Sequence, residues 1–199
     1  MPNWCTTNFV VEGEQKDLDR LYEMMDRLGK MEKPLVENGF GTTWLGCLLT
    51  ELGEDFQNYH CKGDWYNLSR QDKTLRFDTD TAWNPAYDII DLLEHKFPTL
   101  YFYFRAEEPN NDIFVKNDEQ GIYFPEQYFL ILVLPNDNGG TIGPFVSLED
   151  VCCCIKEHTG ISVNSDKDIG RLHKEFAEQG GICLLYKYEL LCNSDTLHV

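Results

Sequence analysis

The chain has 199 residues, 42% of them apolar and 13% aromatic, a composition that supports a buried core and disfavours disorder. Its 17 Lys and Arg stand against 34 Asp and Glu, which gives a formal net charge of −17 at pH 7. Both halves are acidic and neither carries a basic stripe or tail, so direct binding to nucleic acid or anionic lipid is disfavoured. An acidic surface can instead maintain solubility, meet a basic partner or imitate DNA.

Neither the start of the chain nor its cysteines indicate secretion. The segment MPNWCTTNFVVEG lacks the basic start and long apolar run of a signal peptide, and the longest apolar stretch, 128–134, is too short to cross a bilayer. We therefore expect a cytoplasmic protein with no membrane association. Eight cysteines are present, and three adjacent ones at 152–154 make a poor disulfide framework, so reduced thiols are expected.

Hydrophobic periodicity predicts the first elements in chain order. Alternation over 4–12 predicts a strand, and apolar residues at helical spacing over 16–28, ended by Gly29, predict a helix. Residues 30–73, with Pro34 and the segment GFGTTW, are interpreted as an insertion with a short helix near 45–52. Alternation over 74–81 predicts the second strand.

The next segment begins with a helix-start signal. Asn84 is the predicted N-cap and Pro85 the first helical residue of a helix that runs to about 95. A strand in the middle of a sheet is predicted at 99–108, and shorter strands at 113–116 and 121–124. The order strand, helix, insertion, strand, helix, strand predicts a ferredoxin-like antiparallel sheet with helices on one face, within residues 1–118.

The remaining part, 119–199, is predicted to be an α/β extension that is either a separate domain or packed with the first part as one unit. A strand at 128–134 precedes a turn region at 135–144. Ser147 and Asp150 resemble a capping box that opens a helix to about 158, and Ser165 or Asp166 caps a second helix to about 179. A last strand is expected at 182–191. The fold class is therefore α+β.

Three ordered segments resemble a known family: MPNWCTTNFVVEG at the start, GTTW at 41–44, and FDTDTAWNPAYDIIDLLEHKFPTLYF at 77–102. Together they resemble the YubB-type ferredoxin-like family of phage, plasmid and bacterial proteins, over about residues 1–115. The resemblance implies a ferredoxin-like fold and a setting near mobile genetic elements, but it brings no established activity. The chain departs from the family at EEPNNDIF, 107–114, where relatives have an acidic and then glycine-containing hairpin.

The three recognised segments also contain the candidate binding residues. Trp4, Trp44 and Trp83 have polar neighbours such as Asn8 and could converge on a partner-binding face, since tryptophan offers a large rigid surface with one donor. The alternative is that these rings fix the insertion to the sheet.

Two other clusters carry candidate chemistry. Asp78 and Asp80 share one strand face about 7 Å apart, a spacing that suits a divalent ion or an acid–base pair, although no calcium-loop motif follows and a solvated or capping role is the alternative. Cys154 and His158 are four residues apart on a predicted helix, which suits zinc or a nucleophile pair, but paired C-x-x-C motifs are absent and packing is the alternative.

No nucleotide-binding or hydrolase motif occurs, so no catalytic residue, metal or cofactor is predicted. The aromatic strand at 101–104 lacks the basic and glycine residues of an RNA-binding sheet. The leading hypothesis is a non-enzymatic accessory or interaction protein that binds an unidentified protein partner through its acidic or Trp-lined surface. The alternatives are an acidic DNA mimic that inhibits a DNA-binding enzyme, and an enzyme that uses the strand carboxylate pair.

Overall fold

The computed structural model describes residues 3–135 and 140–191, and these fall into two compact units. The first unit contains residues 3–119 and the last described residues, 190–191. The second contains residues 120–135 and 140–189. The sequence predicts a boundary near residue 118, with 119–199 as the second part. The structure places the last described residues, 190–191, in the first unit.

An antiparallel sheet forms the first unit. Its strands are β1 (Trp4–Gly13), β2 (Gly63–Gln71), β3 (Thr74–Ala82), β4 (Leu100–Glu108) and β5 (Ile113–Lys116). Its helices are α1 (Gln15–Gly29), α2 (Leu45–Glu51) and α3 (Tyr87–Lys96). The strands lie in the order β2-β3-β1-β4-β5, and each pairs antiparallel with its neighbour. The order β2-β3-β1-β4 with two intervening helices is the ferredoxin-like arrangement, as the sequence predicted.

One core lies between this sheet and the three helices. Alternate residues of β1, including Cys5, Phe9 and Val11, are buried against Leu18 and Leu21 of α1 and against residues of α2 and α3. Because side chains alternate across a strand, Thr6, Asn8 and their neighbours at even positions lie on the opposite face of the sheet. The polar candidates of the first unit are therefore separated from its core.

Strand β2 lies inside the segment 30–73 that was interpreted as an insertion. The segment between α1 and β2 is therefore shorter than predicted, and α2 within it confirms the predicted short helix. Alternation in the sequence does not predict this strand, because its register with β3 shifts between Tyr66 and Ser69, where Asn67 adopts a φ of 52°. Such a bulge breaks the alternation on which a strand prediction depends.

Helix α3 begins two residues later than predicted. Its N-cap is Ala86 rather than Asn84, and no side chain caps it. The amides of Ile89 and Ile90 donate to the carbonyl of Ala86, while Tyr87 donates to Pro85. Pro85 therefore lies before the helix, and its fixed φ shapes the turn that leads into it.

The predicted strand at 121–124 is absent from the described structure. Asn117 directly follows the last residue of β5, and its side chain binds the backbone of β4 where a longer strand would pair. Its Oδ1 accepts from the Phe104 amide at 2.7 Å, and its Nδ2 donates to the Phe102 carbonyl at 2.7 Å. Gly121 then turns the chain with a φ of +65°, a conformation that L-amino-acid side chains rarely adopt.

The second unit is a three-stranded antiparallel sheet in the order β7-β6-β8, with two helices on one face. Its elements are β6 (Tyr128–Val133), β7 (Gly140–Phe145), α4 (Leu148–Thr159), α5 (Asp166–Ala177) and β8 (Ile182–Lys187). Strand β7 replaces part of the predicted turn region because Gly140, Gly143 and Pro144, which read as turn residues, pair with β6 at the sheet edge. Residues 136–139 of that region lie outside the described chain.

Both helix starts of this unit are confirmed. Ser147 and Asp150 form a reciprocal capping box at α4, with the Asp150 amide 3.1 Å from Ser147 Oγ, and Gly160 closes the helix at a φ of 72°. Ser165 caps α5 by accepting from the Asp168 amide. A short final strand, β9 (Glu189–Leu190), lies beside β5, where Leu191 donates to the Lys116 carbonyl.

None of the helices in the described part of the chain is long and apolar enough to cross a bilayer.

Candidate interaction surface

Asp78 lies on the helix-free face of the first sheet, in the centre of a hydrogen-bonded row. Its Oδ1 accepts from Asn8 Nδ2 at 2.8 Å, and its Oδ2 accepts from Asn67 Nδ2 at 2.8 Å. Asn8 in turn accepts from Arg105 at 3.0 Å through its Oδ1, so one amide links the carboxylate to the guanidinium two strands away. Both oxygens of Asp78 are therefore bound by neutral amides.

Asp80 occupies the next position on the same face. Thr6 Oγ1 donates to its Oδ1 at 2.7 Å, and the Tyr66 hydroxyl donates to the same oxygen at 3.1 Å. Burial, followed by the negative charge of Asp80, raises the pKa of Tyr66, so the phenol stays protonated and remains a donor. Burial and the charge of Asp80 also raise the pKa of Asp64 on the adjacent strand.

These contacts define what the carboxylate pair can do. Asp78 and Asp80 share a face, as the sequence predicted, but each is already held by neutral donors from neighbouring strands. Across residues 3–135 and 140–191, no three His, Cys, Asp or Glu side chains are grouped so that they could hold a metal ion. The pair therefore stabilises strand pairing.

The three candidate tryptophans do not converge. Trp44 is buried, and its Nε1–H donates to the Cys61 carbonyl at 2.7 Å while its ring packs over Gly46. It fixes the segment between α1 and β2 to the core, which was the alternative interpretation. Trp65 of β2 is also buried in this core.

Trp4 and Trp83, in contrast, are 45% and 47% exposed. Trp4 pairs with Ala82, the residue before Trp83, and the Trp83 amide donates to the Asn3 carbonyl at 2.8 Å, so both rings start from the same end of β1 and β3. Phe40, which is 39% exposed, meets Trp4 edge to face with ring centroids 6.4 Å apart. Trp4, Phe40 and Trp83 are called the aromatic surface below.

The side chain of Asn38 braces the loop that carries Phe40. Asn38 Oδ1 accepts from the amides of Phe40 and Gly41 at 2.6 and 2.8 Å, and its Nδ2 donates to the carbonyls of Val36 and Gly41 at 2.7 and 3.1 Å. Gly41 has a φ of +90°, which only glycine adopts readily. Asn38 thus replaces the missing backbone bonds of the loop and fixes the point from which the Phe40 ring projects.

Trp83 has a left-handed backbone with a φ of 76°. For a bulky L-residue this conformation costs roughly 1–2 kcal/mol. Its neighbours hold it there: the Trp83 amide is bound by Asn3, its carbonyl accepts from Asn111 Nδ2 at 3.3 Å, and Thr81 Oγ1 donates to the Asn84 carbonyl at 2.7 Å. The strain therefore persists because three hydrogen bonds fix the backbone on both sides of Trp83.

Cys154 and His158 are close, with Sγ 3.7 Å from Nδ1, but they do not form a nucleophile pair. His158 Nδ1 lies 2.9 Å from the Cys154 carbonyl, so this nitrogen carries the proton and donates it. It has no lone pair to accept a proton from the thiol. Burial also raises the pKa of Cys154 and keeps it a thiol, so the packing interpretation describes this pair.

Sequence reasoning missed Phe40 and Asn38. The only local signal was the segment NGFGTTW, whose glycines and asparagine indicate turns without indicating which side chain is exposed. The contact between Phe40 and Trp4 joins positions 36 residues apart, and no periodic pattern reports such a contact.

The chain matches no family model, no curated protein and no solved structure. The resemblance of its first part to YubB-type proteins stays a prediction.

Proposed function

We propose that this protein is an interaction protein that binds a basic protein partner through the aromatic surface. The observation that carries the proposal is the placement of two tryptophans, 45% and 47% exposed, at one end of the two central strands, with Phe40 against one of them. Tryptophan is the residue type most enriched at the energetic centres of protein interfaces.

The aromatic surface is organised before any partner arrives. The Asn38 side chain holds the Phe40 loop with four hydrogen bonds, two donated and two accepted, and three hydrogen bonds hold the turn at Trp83. A surface fixed in advance loses less conformational entropy on binding than a mobile one. The strain at Trp83 is compatible with this role, because a relaxed backbone would project the ring elsewhere.

Charge indicates the chemistry of the partner. The whole chain carries −17, and Asp64, Asp78 and Asp80 lie on the helix-free face of the sheet that carries Trp4. A cationic partner is attracted by the net negative charge of the chain, and its Arg or Lys side chains can lie over exposed tryptophan rings, a contact of about 0.5–2 kcal/mol.

The test is affinity capture from the native host, quantified by mass spectrometry, with three forms of the full chain. These are the wild type, a Trp4→Ala/Trp83→Ala double variant, and a Tyr101→Ala control, since Tyr101 is a 62% exposed aromatic of β4 outside the aromatic surface. We expect a basic protein captured by the wild type and the control but not by the double variant, with capture weakened by added salt.

A direct titration of the captured protein with the three purified forms then measures the loss of affinity, for which tenfold or more is expected. Circular dichroism checks that the double variant is folded. Equal capture by all three forms, or no protein that depends on the two tryptophans, contradicts the proposal.

A further inference from the structure

A groove of about 310 Å³ runs between α5 and β8 in the second unit. Ile169, Gly170 and His173 line it from the helix, and Cys183, Leu185 and Lys187 line it from the strand. The ion pair between Asp166 and Lys187, 3.2 Å apart, closes one end. The volume lies at the lower limit of about 300–1,000 Å³ that is usual for ligand sites.

The strand side of the groove is the edge of a sheet. Among the strands of the described chain, in the order β7-β6-β8, strand β8 has a partner on one side only. The Tyr188 amide donates to Gln127, beside β6, whereas the Cys183 amide donates away from β6 to His173 Nδ1 at 3.3 Å. Because the direction of backbone groups alternates along an antiparallel strand, those of Cys183, Leu185 and Lys187 point into the groove.

The backbone amide of Cys183 shows how one group of this edge finds a hydrogen-bond partner. His173 Nδ1 accepts the Cys183 amide at the position where the carbonyl of a further strand would lie. For Leu185, two residues along, no acceptor of the amide and no donor to the carbonyl is found in the described chain. The amide and the carbonyl of Leu185 can therefore both pair with a fourth antiparallel strand, which would form two hydrogen bonds with this one residue.

The helix side leaves room for such a strand. Gly170 lies in the interior of α5, where glycine costs about 1 kcal/mol relative to alanine, and a Cβ placed there meets no atom within 4 Å. Among the described residues of the unit, no packing constraint explains this glycine. Its missing side chain leaves room in the groove, which Gly170 lines together with Leu185 and buried Ile169.

We propose that this groove binds an extended peptide of a partner protein, which adds to β8 as a fourth strand and pairs its backbone with Leu185. From Cys183 to Lys187 the edge is about 13 Å long at 3.3 Å per residue, which accommodates four or five residues. An apolar side chain on the helix face of the peptide lies between Ile169 and Gly170. This is the strand-addition mode of peptide recognition, in which main-chain bonds provide affinity and the pocket provides specificity.

The expected peptide is neutral or basic. The two charged side chains that line the groove, Asp166 and Lys187, are already paired with each other. At −17, a second copy of the chain is repelled, whereas a neutral or cationic segment is not. This site does not depend on the aromatic surface of the first unit.

The probe is a phage-displayed library of random twelve-residue peptides selected against the full chain. Gly170→Leu fills the groove without removing a contact and adds a better helix former. Glu175→Leu is the matched control, because it places the same side chain at an exposed position near the opposite face of α5. Circular dichroism shows whether both variants are folded.

We expect selected peptides with apolar residues at alternate positions, whose affinity falls at least tenfold in Gly170→Leu and is unchanged in Glu175→Leu. Hydrogen exchange should slow in the segment that contains Leu185 when such a peptide is bound. Three results overturn the proposal: no enrichment on the wild type, peptides that bind Gly170→Leu equally well, or binding without protection at Leu185. A wild-type dimer that Gly170→Leu converts to a monomer also overturns it, because the edge would then pair with a second copy.

Discussion

Gly46 is the position where one added methyl group tests the packing of the first unit. It is buried in α2 directly beneath the ring of Trp44, and a Cβ there lies 2.3 Å from Cη2 of that ring. The ring has little freedom to move, because Trp44 is buried and its Nε1–H is bound to the Cys61 carbonyl at 2.7 Å. Gly46→Ala therefore forces the ring to shift by about 1 Å, or to leave its site.

The two responses set the lower and upper limits of the loss in the free energy of unfolding. If the ring stays under compression, overpacking destabilises the fold by about 1–3 kcal/mol. If it leaves, roughly 150–250 Å² of aromatic surface is exposed, at a cost of about 4–6 kcal/mol at 25 cal/mol per Å². Alanine recovers about 0.5–1 kcal/mol as the better helix former. We expect the ring to stay and the free energy of unfolding to fall by about 1–2 kcal/mol.

The assay is urea denaturation followed by tryptophan fluorescence, because all four tryptophans lie in the first unit. The control is Gly29→Ala at the end of α1, where the one described atom within 4 Å of a Cβ is Thr43 Cγ2, at an ordinary 3.7 Å. It should leave the midpoint unchanged or raise it. The reasoning is refuted if Gly46→Ala unfolds at the same urea concentration as the wild type.

Three further predictions concern charge, capping and thiols. Asp64→Asn should raise the free energy of unfolding at pH 7, since burial and Asp80 raise the pKa of Asp64 in the fold. The gain should vanish as the pH falls through the range where aspartate protonates, and a gain in urea denaturation that does not change with pH would contradict this. Ser147→Ala removes the α4 cap and should destabilise the second unit by about 1 kcal/mol, measured by circular dichroism in urea; an unchanged midpoint would exclude a role for the cap. Exposed Cys153 should react with a maleimide at pH 8 well before Cys183, whose pKa burial raises to about 11, and peptide mapping that finds the reverse order would contradict this.

Much of the fold could be predicted because its signals are local. The capping box of Ser147 and Asp150 and the helix-ending Gly160 lie within a few residues of the elements they delimit, and the structure confirms both. Strand β2 was missed because the bulge between Tyr66 and Ser69 shifts its alternation in mid-strand. A bulge is stabilised by the neighbouring strand, so no local pattern reports it.

The candidate site was predictable only in part. Asp78 and Asp80 were correctly placed on one face, because a period of two depends on the strand alone. Their partners come from other strands, at sequence separations of 74 for Thr6 with Asp80 and 70 for Asn8 with Asp78. Whether a carboxylate is available or already bound was therefore decided by strand pairing.

The tryptophans show most clearly which properties the sequence determined and which the tertiary structure decided. The sequence by itself determined an acidic α+β chain, its helix ends, and the faces on which alternating residues lie, since composition and periodicity are properties of short segments. Only the tertiary structure decided that Trp44 is buried in the core while Trp4 and Trp83 are half exposed. It alone also brought Phe40 to Trp4 and His173 to the edge of β8. Burial and contact depend on which distant segments cover a side chain, and that is settled when the sheet and helices pack.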